Sequence, residues 1–162
     1  MRSPFDLFRK RDFAIERLKT ADAVAIAGLH TDGFHRPWND GEFRSLLAQG
    51  PVFGFIARPV GRADAPAGFV LARLVAGEAE ILTVAVSKPN RRSGLGRKLM
   101  DAVLRQLHAQ RAQVLILEVD EQNSPAIGLY KKLGFLEVAK RPSYYQTADG
   151  RSSALVMRLE LK

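Results

Sequence analysis

The stretch Glu80-Ile-Leu-Thr-Val-Ala-Val-Ser-Lys-Pro-Asn-Arg-Arg-Ser-Gly-Leu-Gly-Arg-Lys-Leu99 decides how the chain folds. It opens on a nearly continuous apolar run, Ile81, Leu82, Val84, Ala85 and Val86. That pattern belongs to a strand covered on both faces and predicts that Glu80 to Val86 lies at the centre of a sheet. After a loop, Ser87 to Ser93, the period changes. Leu99, Val103 and Leu107 recur at helical spacing with Met100 and Leu104 beside them, predicting a helix from Leu95 to about Gln110. At the junction stand Gly94 and Gly96 with the cations Arg91, Arg92, Arg97 and Lys98. Glycines let a ligand approach the backbone, the first helical turn offers unpaired N–H donors, and the positive end of the helix dipole favours an anion. A pyrophosphate is the natural guest. The segment is neither a GxxxxGK(S/T) loop nor a GxGxxG dinucleotide fingerprint, because Leu99 stands where the last glycine belongs. Taken alone, it suits a ligand-free basic helix start as well as a phosphate site.

Downstream, Val114 to Val119 reads as a second buried strand, so strand, helix and strand form a right-handed crossover with the two strands parallel. Ser124 is the expected N-cap of a further helix with Pro125 at its first position, and Gly134 closes that helix after Ile127, Leu129, Tyr130 and Leu133. Phe135 to Ala139 and Ala154 to Leu161 are the expected terminal strands, joined through a loop holding the turn signal Asp149-Gly150. Upstream, Phe13 to Leu18 reads as a short strand, and Thr20 is the expected cap of a helix carrying Val24, Ala27 and Leu29. Asn39 and Glu42 form a capping-box pair ahead of Phe43, Leu46 and Leu47, with Gly50 at the expected left-handed C-cap. Val52 to Ala57 and Ala67 to Val75 flank the Pro59 to Pro66 loop as a hairpin. The order βααβββαβαββ describes an α/β fold with one mixed α+β sheet. It predicts a single domain over residues 1–162, with residues 1–11 as a flexible basic N-terminus.

Composition narrows the function. A chain of 162 residues with 46% hydrophobic side chains is long enough to bury a core, roughly 70% of its unfolded surface for one domain of this size. No apolar run approaches a membrane span, and the N-terminus lacks an apolar signal core, so neither a membrane nor a secretory role is expected. With no cysteine, disulfides, thiolate metal sites and a Cys nucleophile are excluded, which is compatible with a reducing cytoplasm. His30, His35 and His108 lack ligand-like spacing, so no metal is expected. With a net charge of +8 the protein must tolerate or use anionic partners, the candidates being nucleic acid, a ribosomal surface or a phosphate-bearing small molecule, and the bland alternative a solvated surface with no partner.

These elements occur in the same order as a further segment, Leu117-Glu-Val-Asp-Glu-Gln-Asn-Ser-Pro-Ala-Ile-Gly-Leu-Tyr-Lys-Lys-Leu-Gly-Phe135. Together they resemble the GCN5-related N-acetyltransferases and, more narrowly, the bacterial ribosomal-protein alanine N-acetyltransferases of the RimI type. The likeness runs from about Glu80 to Leu161, where Tyr144-Tyr-Gln-Thr-Ala-Asp-Gly150 is similar to that group's late loop. It is weaker upstream, although Gly33-Phe-His-Arg-Pro-Trp38 resembles the group's segment between its first two helices.

The resemblance implies an acetyl-CoA site. The pyrophosphate would sit on the amides of Arg92, Ser93, Gly94, Leu95, Gly96 and Arg97. The pantetheine arm would pair like an added strand with Val84, Ala85 and Val86, and Asn123 would make a polar contact to the cofactor. Read by itself, Asn123 is a turn residue before a helix cap. The resemblance also gives Glu118 the part of general base and Tyr130 that of general acid toward the departing thiolate. Glu118 is the one acid inside the run Val114 to Val119, where burial would lift its pKa; period-two alternation equally permits a carboxylate facing water. Tyr130, at helical spacing with Ile127 and Leu133, also suits a core position. Trp38, Tyr144 and Tyr145 resemble residues lining the peptide groove of N-terminal acetyltransferases, and serve equally well as surface or core aromatics.

The chain departs from the group in its acidic Asp120-Glu121-Gln122 and its extra basic stretch Arg2 to Arg11; the first is expected to bear on acceptor preference, the second either to touch ribosomal RNA or to do nothing. The implied activity is acetylation of a protein N-terminus, that of an alanine on a ribosomal protein of the S18 kind. The expected partner is therefore a protein or peptide N-terminus near the ribosome, not DNA or a membrane. The alternatives are acetylation of lysine side chains, small amines or other N-termini, and a non-catalytic basic module that binds RNA or the ribosome.

Overall fold

The computed structural model describes residues 12–34, 36–61, 65–147 and 150–162. The basic stretch Arg2 to Arg11, His35, the tip of the Pro59 to Pro66 loop and Asp149 of the expected turn lie outside them. The elements are β1 (Phe13–Arg17), α1 (Ala23–Gly33), α2 (Asp40–Leu47), β2 (Val52–Pro59), β3 (Gly68–Val75), β4 (Glu78–Val86), α3 (Leu95–Ala109), β5 (Val114–Asp120), α4 (Ser124–Leu133), β6 (Leu136–Thr147) and β7 (Gly150–Glu160). One-turn 3₁₀ helices at Thr20–Asp22 and Lys88–Asn90 precede α1 and α3. This is the predicted order.

The strands form one mixed sheet, β1-β2-β3-β4-β5-β7-β6, with β4 at its centre as its apolar run predicted. Every pairing is antiparallel except that of β4 with β5. Successive side chains of a strand leave opposite faces, and β3 shows the result. Val70 and Ala72 join a core cluster with Leu99, Met100, Val103 and Leu107 of α3, whereas Phe69 and Leu71 join Ala23, Ile26 and Phe43 from α1 and α2 on the other face. Each fully buried Leu or Met of α3 contributes about 1.5–3 kcal/mol over leaving it in water. β4 feeds both clusters, Ile81, Val84 and Val86 packing on one side and Leu82 and Ala85 on the other. That is why its sequence is apolar without alternation.

Several local expectations need correction. Thr20 does not cap α1: it begins the 3₁₀ turn, and Asp22 is the N-cap residue. Asn39 does cap α2, its side chain accepting from Glu42 N, but that helix ends on Ala48 and Gly50 does not adopt positive φ. β4 starts at Glu78 instead of Glu80, because Ala76 and Gly77, at φ 51° and 80°, turn β3 tightly into it. Asn123, not Ser124, caps α4, accepting from Ala126 N, which places Pro125 one residue deeper than expected. Gly134 closes that helix at φ 103°, as predicted. β6 runs to Thr147 instead of stopping at Ala139, and β7 starts at Gly150 instead of Ala154. The ladder absorbs Pro142 by slipping register between Arg141 and Tyr145.

Candidate active site

The parallel pair at the centre of the sheet is incomplete. β4 and β5 register only from Glu78 opposite Val114 to Glu80 opposite Ile116, although β4 runs on to Val86 and β5 to Asp120. Where the pairing ends, β4 carries a bulge: Leu71 faces Thr83 while Ala72 faces Ile81. The extra residue, Leu82, bends the strand away. From Ile81 onward the β5-facing edge of β4, including Val84, Ala85 and Val86, therefore has no strand partner among the described residues. An unpaired edge inside a sheet invites an extended guest.

At the end of β4 the chain enters the glycine-containing turn. Arg92 and Gly94 both adopt the left-handed conformation, φ 63° and 81°, and no side chain caps α3. Nothing lies within 4 Å of a Cβ built on Gly94, so the turn is open on that side. Among the described residues, the backbone N–H groups of Gly94, Leu95, Gly96 and Arg97 have no acceptor in the protein. Consecutive free donors beside a helix N-terminus make an anion cradle. The first turn of α3 lies against α4, a Cβ on Gly96 meeting Leu129 Cδ2 at 3.3 Å. Arg91 instead turns back, its Nε donating to the Val86 carbonyl at 3.2 Å.

Glu118 alternates with Leu117 and Val119, whose side chains are buried in the α3 and α4 cluster, so its carboxylate leaves the sheet on the opposite face. It is not buried: the side chain is 33% exposed, and Arg141 Nη1 pairs with it at 2.8 Å. The expectation that Glu118 is buried within its strand therefore fails. Tyr130 lies on the other side, 5% exposed, its ring 5.7 Å from that of Phe135. Burial pushes its phenol up to about 12. No buried side-chain polar atom among the described residues lacks a partner, and the Tyr130 hydroxyl makes no bond among them, so its oxygen keeps access to solvent.

Tyr145 stands near both groups. Its phenol is pushed up to about 12, first by burial and then by the charge of Glu118, with Tyr144, Asp120 and Tyr130 also acting on it. Tyr144 packs edge-on against Tyr145 at 5.1 Å, and Arg141 covers the Tyr144 ring at 4.6 Å. The structure thus brings Glu118, Tyr145 and Tyr144 together. It adds Arg141, a residue to which the sequence assigned no role.

Trp38 is held elsewhere, half-buried among His30, Phe43 and the α1 and α2 core, with no hydrogen bond or ring contact to Tyr144 or Tyr145 among the described residues. Asn123 spends its side-chain oxygen on the α4 cap and keeps its amide nitrogen. The acids expected to bear on acceptor preference are also engaged. Asp120 accepts from Ser152 Oγ at 2.7 Å and Gln122 N at 3.0 Å, while Glu121 pairs with Lys140 at 2.9 Å and accepts from Ser153 N. These bonds hold Glu121 below its usual carboxylate range and tie the β5 to α4 turn to β6 and β7. Among the described residues no group of His, Cys, Asp and Glu is arranged to hold a metal ion.

A mixed sheet splayed at its parallel pair, with an anion cradle at one end of the gap, defines an acyl-CoA transferase scaffold. The chain belongs to the acetyltransferase (GNAT) family, whose model matches residues 23–135. It is an acetyltransferase with acetyl-CoA as cosubstrate. Over 147 residues it is 34% identical to the [ribosomal protein bS18]-alanine N-acetyltransferase of Escherichia coli K12, covering 91% of this chain and 97% of that protein. A putative [ribosomal protein bS18]-alanine N-acetyltransferase of Bacillus subtilis is 27% identical, with 91% and 95% covered. The crystal structure of the ribosomal-protein-S18-alanine N-acetyltransferase from Escherichia coli superposes with a TM-score of 0.86 at 32% identity, covering 93% of this chain and 95% of that one. Arabidopsis thaliana NAA60 in complex with acetyl-CoA shares the fold at 20% identity, TM-score 0.80, over 92% and 98% of the two chains.

Proposed function

We propose that the protein acetylates the N-terminal α-amino group of a protein, namely the N-terminal alanine of a ribosomal protein. Likeness to the Escherichia coli enzyme over nearly the whole chain supports that acceptor. The observation that carries the chemistry is the gap between β4 and β5, bounded by free N–H donors at Gly94 to Arg97 and by Glu118, Tyr130 and Tyr145.

Acetyl-CoA supplies the acyl group as an activated thioester. The amides of Arg92, Ser93, Gly94, Leu95, Gly96 and Arg97 would bind its diphosphate, aided by the Arg92 and Arg97 side chains. The free edge at Val84, Ala85 and Val86 would bond the pantetheine arm, and the spare Asn123 amide would add a polar contact. An α-amino group, with a pKa of about 7.7–8.0, is mostly protonated at neutral pH and must lose a proton before it attacks. Glu118 accepts that proton through a water. Tyr130, which keeps its own proton across the working pH range, donates it to the leaving sulfur. No cysteine is present to carry the acetyl group, in keeping with direct transfer. Tyr144 and Tyr145 would flank the entering peptide, and Trp38, in the segment between α1 and α2, would back it.

The same reading takes residues 1–162 as one acetyltransferase domain working in the cytoplasm near the ribosome. No helix among the described residues is long and apolar enough to cross a membrane. The test is turnover with three peptides: one starting with alanine, the same peptide with a blocked N-terminus, and one offering only a lysine side chain. Acetylation of the first alone is expected. Acetylation of the lysine peptide with none on the free alanine overturns the acceptor assignment.

A further inference from the structure

The geometry points to His30 as a positioning residue that clips the acceptor-side aromatic segment onto the cofactor strand. The inference rests on the proposed function in one respect, that Trp38 backs the acceptor.

His30 closes α1 and is 2% exposed, a titratable side chain with no part in the transfer itself. The Trp38 backbone N–H donates to its Nδ1 at 2.9 Å. That nitrogen is therefore unprotonated, and in a neutral imidazole the hydrogen belongs to Nε2. Nε2 lies 3.2 Å from Thr83 Oγ1 and donates to it. Thr83 is the β4 residue immediately before Val84, at the point where β4 has left β5. One ring thus bonds the segment that carries Trp38 and the strand that carries the free edge.

The packing is consistent with a clip. Phe34 stacks on the imidazole at 3.9 Å and 8°, Trp38 at 5.1 Å and 14°, and Phe43 meets it edge-on at 5.3 Å. A phenylalanine would satisfy every one of these ring contacts. What only histidine supplies here is an acceptor on one edge and a donor on the other. Burial lowers its pKa to about 4, so both bonds persist at neutral pH. Sequence inspection does not find the clip, because its partners stand 8 and 53 positions away on different elements.

The experiment compares His30→Phe, His30→Asn and Thr83→Val with the unaltered protein. Its readouts are kcat and KM for an alanine-starting peptide at saturating acetyl-CoA, together with calorimetric affinity for acetyl-CoA. His30→Phe keeps the stack and loses both bonds: acceptor KM should rise about tenfold, with acetyl-CoA affinity within twofold. His30→Asn restores an acceptor for Trp38 N–H and should recover part of the acceptor KM. Thr83→Val removes the other bond without touching the ring and should also raise acceptor KM, which keeps the test intact should His30→Phe not fold. Unchanged acceptor KM in the variants that fold, with only a lower melting temperature, overturns the inference and leaves His30 a packing residue. An unaltered protein that does not acetylate the peptide overturns the proposed function and the inference together.

Discussion

Arg141 Nη1 lies 2.8 Å from Glu118 Oε1 while the same guanidinium covers the Tyr144 ring at 4.6 Å. One cation therefore fixes the rotamer of the assigned base and the pose of an aromatic at the peptide entrance. The pair is partly solvated, so its contribution to stability is small, about 0.2–1 kcal/mol. Arg141→Gln should leave the thermal melt nearly unchanged and lower kcat/KM for the alanine peptide about tenfold, since a misplaced catalytic group costs rate more than fold. Unchanged kcat/KM in steady-state assays would remove Arg141 from the site.

Tyr130→Phe keeps the packing against Phe135 and deletes only the hydroxyl. Melting should stay within a few degrees, and kcat should fall by about 10²–10⁴. With the phenol held at about 12, its ionisation lies far above neutrality, so the unaltered enzyme should show no loss of rate attributable to Tyr130 between pH 7 and 10. Glu118→Gln should cost a comparable factor in kcat, with affinity for acetyl-CoA retained in calorimetry.

His30 makes stability depend on pH. Its folded pKa is about 4, below the unfolded value of 6.5, so the folded state binds fewer protons in between. Stability is full above pH 6.5 and falls as pH drops toward 4, by up to about 3 kcal/mol. Urea unfolding at pH 7.5, 5.5 and 4.5 should show this slope, and His30→Phe should flatten it.

Gly94 holds φ 81° at the head of α3 with no side chain nearby. Gly94→Ala meets no steric obstacle but forces an L-residue into the left-handed region, at about 1–2 kcal/mol. Loss of acetyl-CoA affinity by tenfold or more is expected in calorimetry, against no change for Arg105→Ala on the exposed side of α3. Equal affinities for Gly94→Ala and the unaltered protein would separate the turn from phosphate binding.

The order of elements and the central place of β4 were legible because they follow from local periodicity, which the residues of one segment carry. The donor turn was legible for the same reason, since Arg92 to Arg97 form a contiguous chemical pattern. What stayed hidden depends on partners remote in sequence. The exposure of Glu118 is set by its face of the sheet and by Arg141, 23 positions on. Period-two alternation had left that outcome open. The length of β6 depends on a partner strand able to absorb Pro142, and His30 acquires its bonds only when α1 meets β4. Asn123 was misread by one position as a pre-cap residue because Asn, Ser and Pro are all sound helix-start signals in tandem.

The divergence of β4 from β5 leaves the centre of the sheet short of hydrogen bonds that most proteins complete for themselves. If the donor molecule fills that vacancy, it acts as a borrowed part of the architecture as well as a reagent. The resistance of the fold to heat then tracks the metabolic supply of acetyl-CoA through mass action. Starved of it, the molecule loses substrate and scaffolding at once.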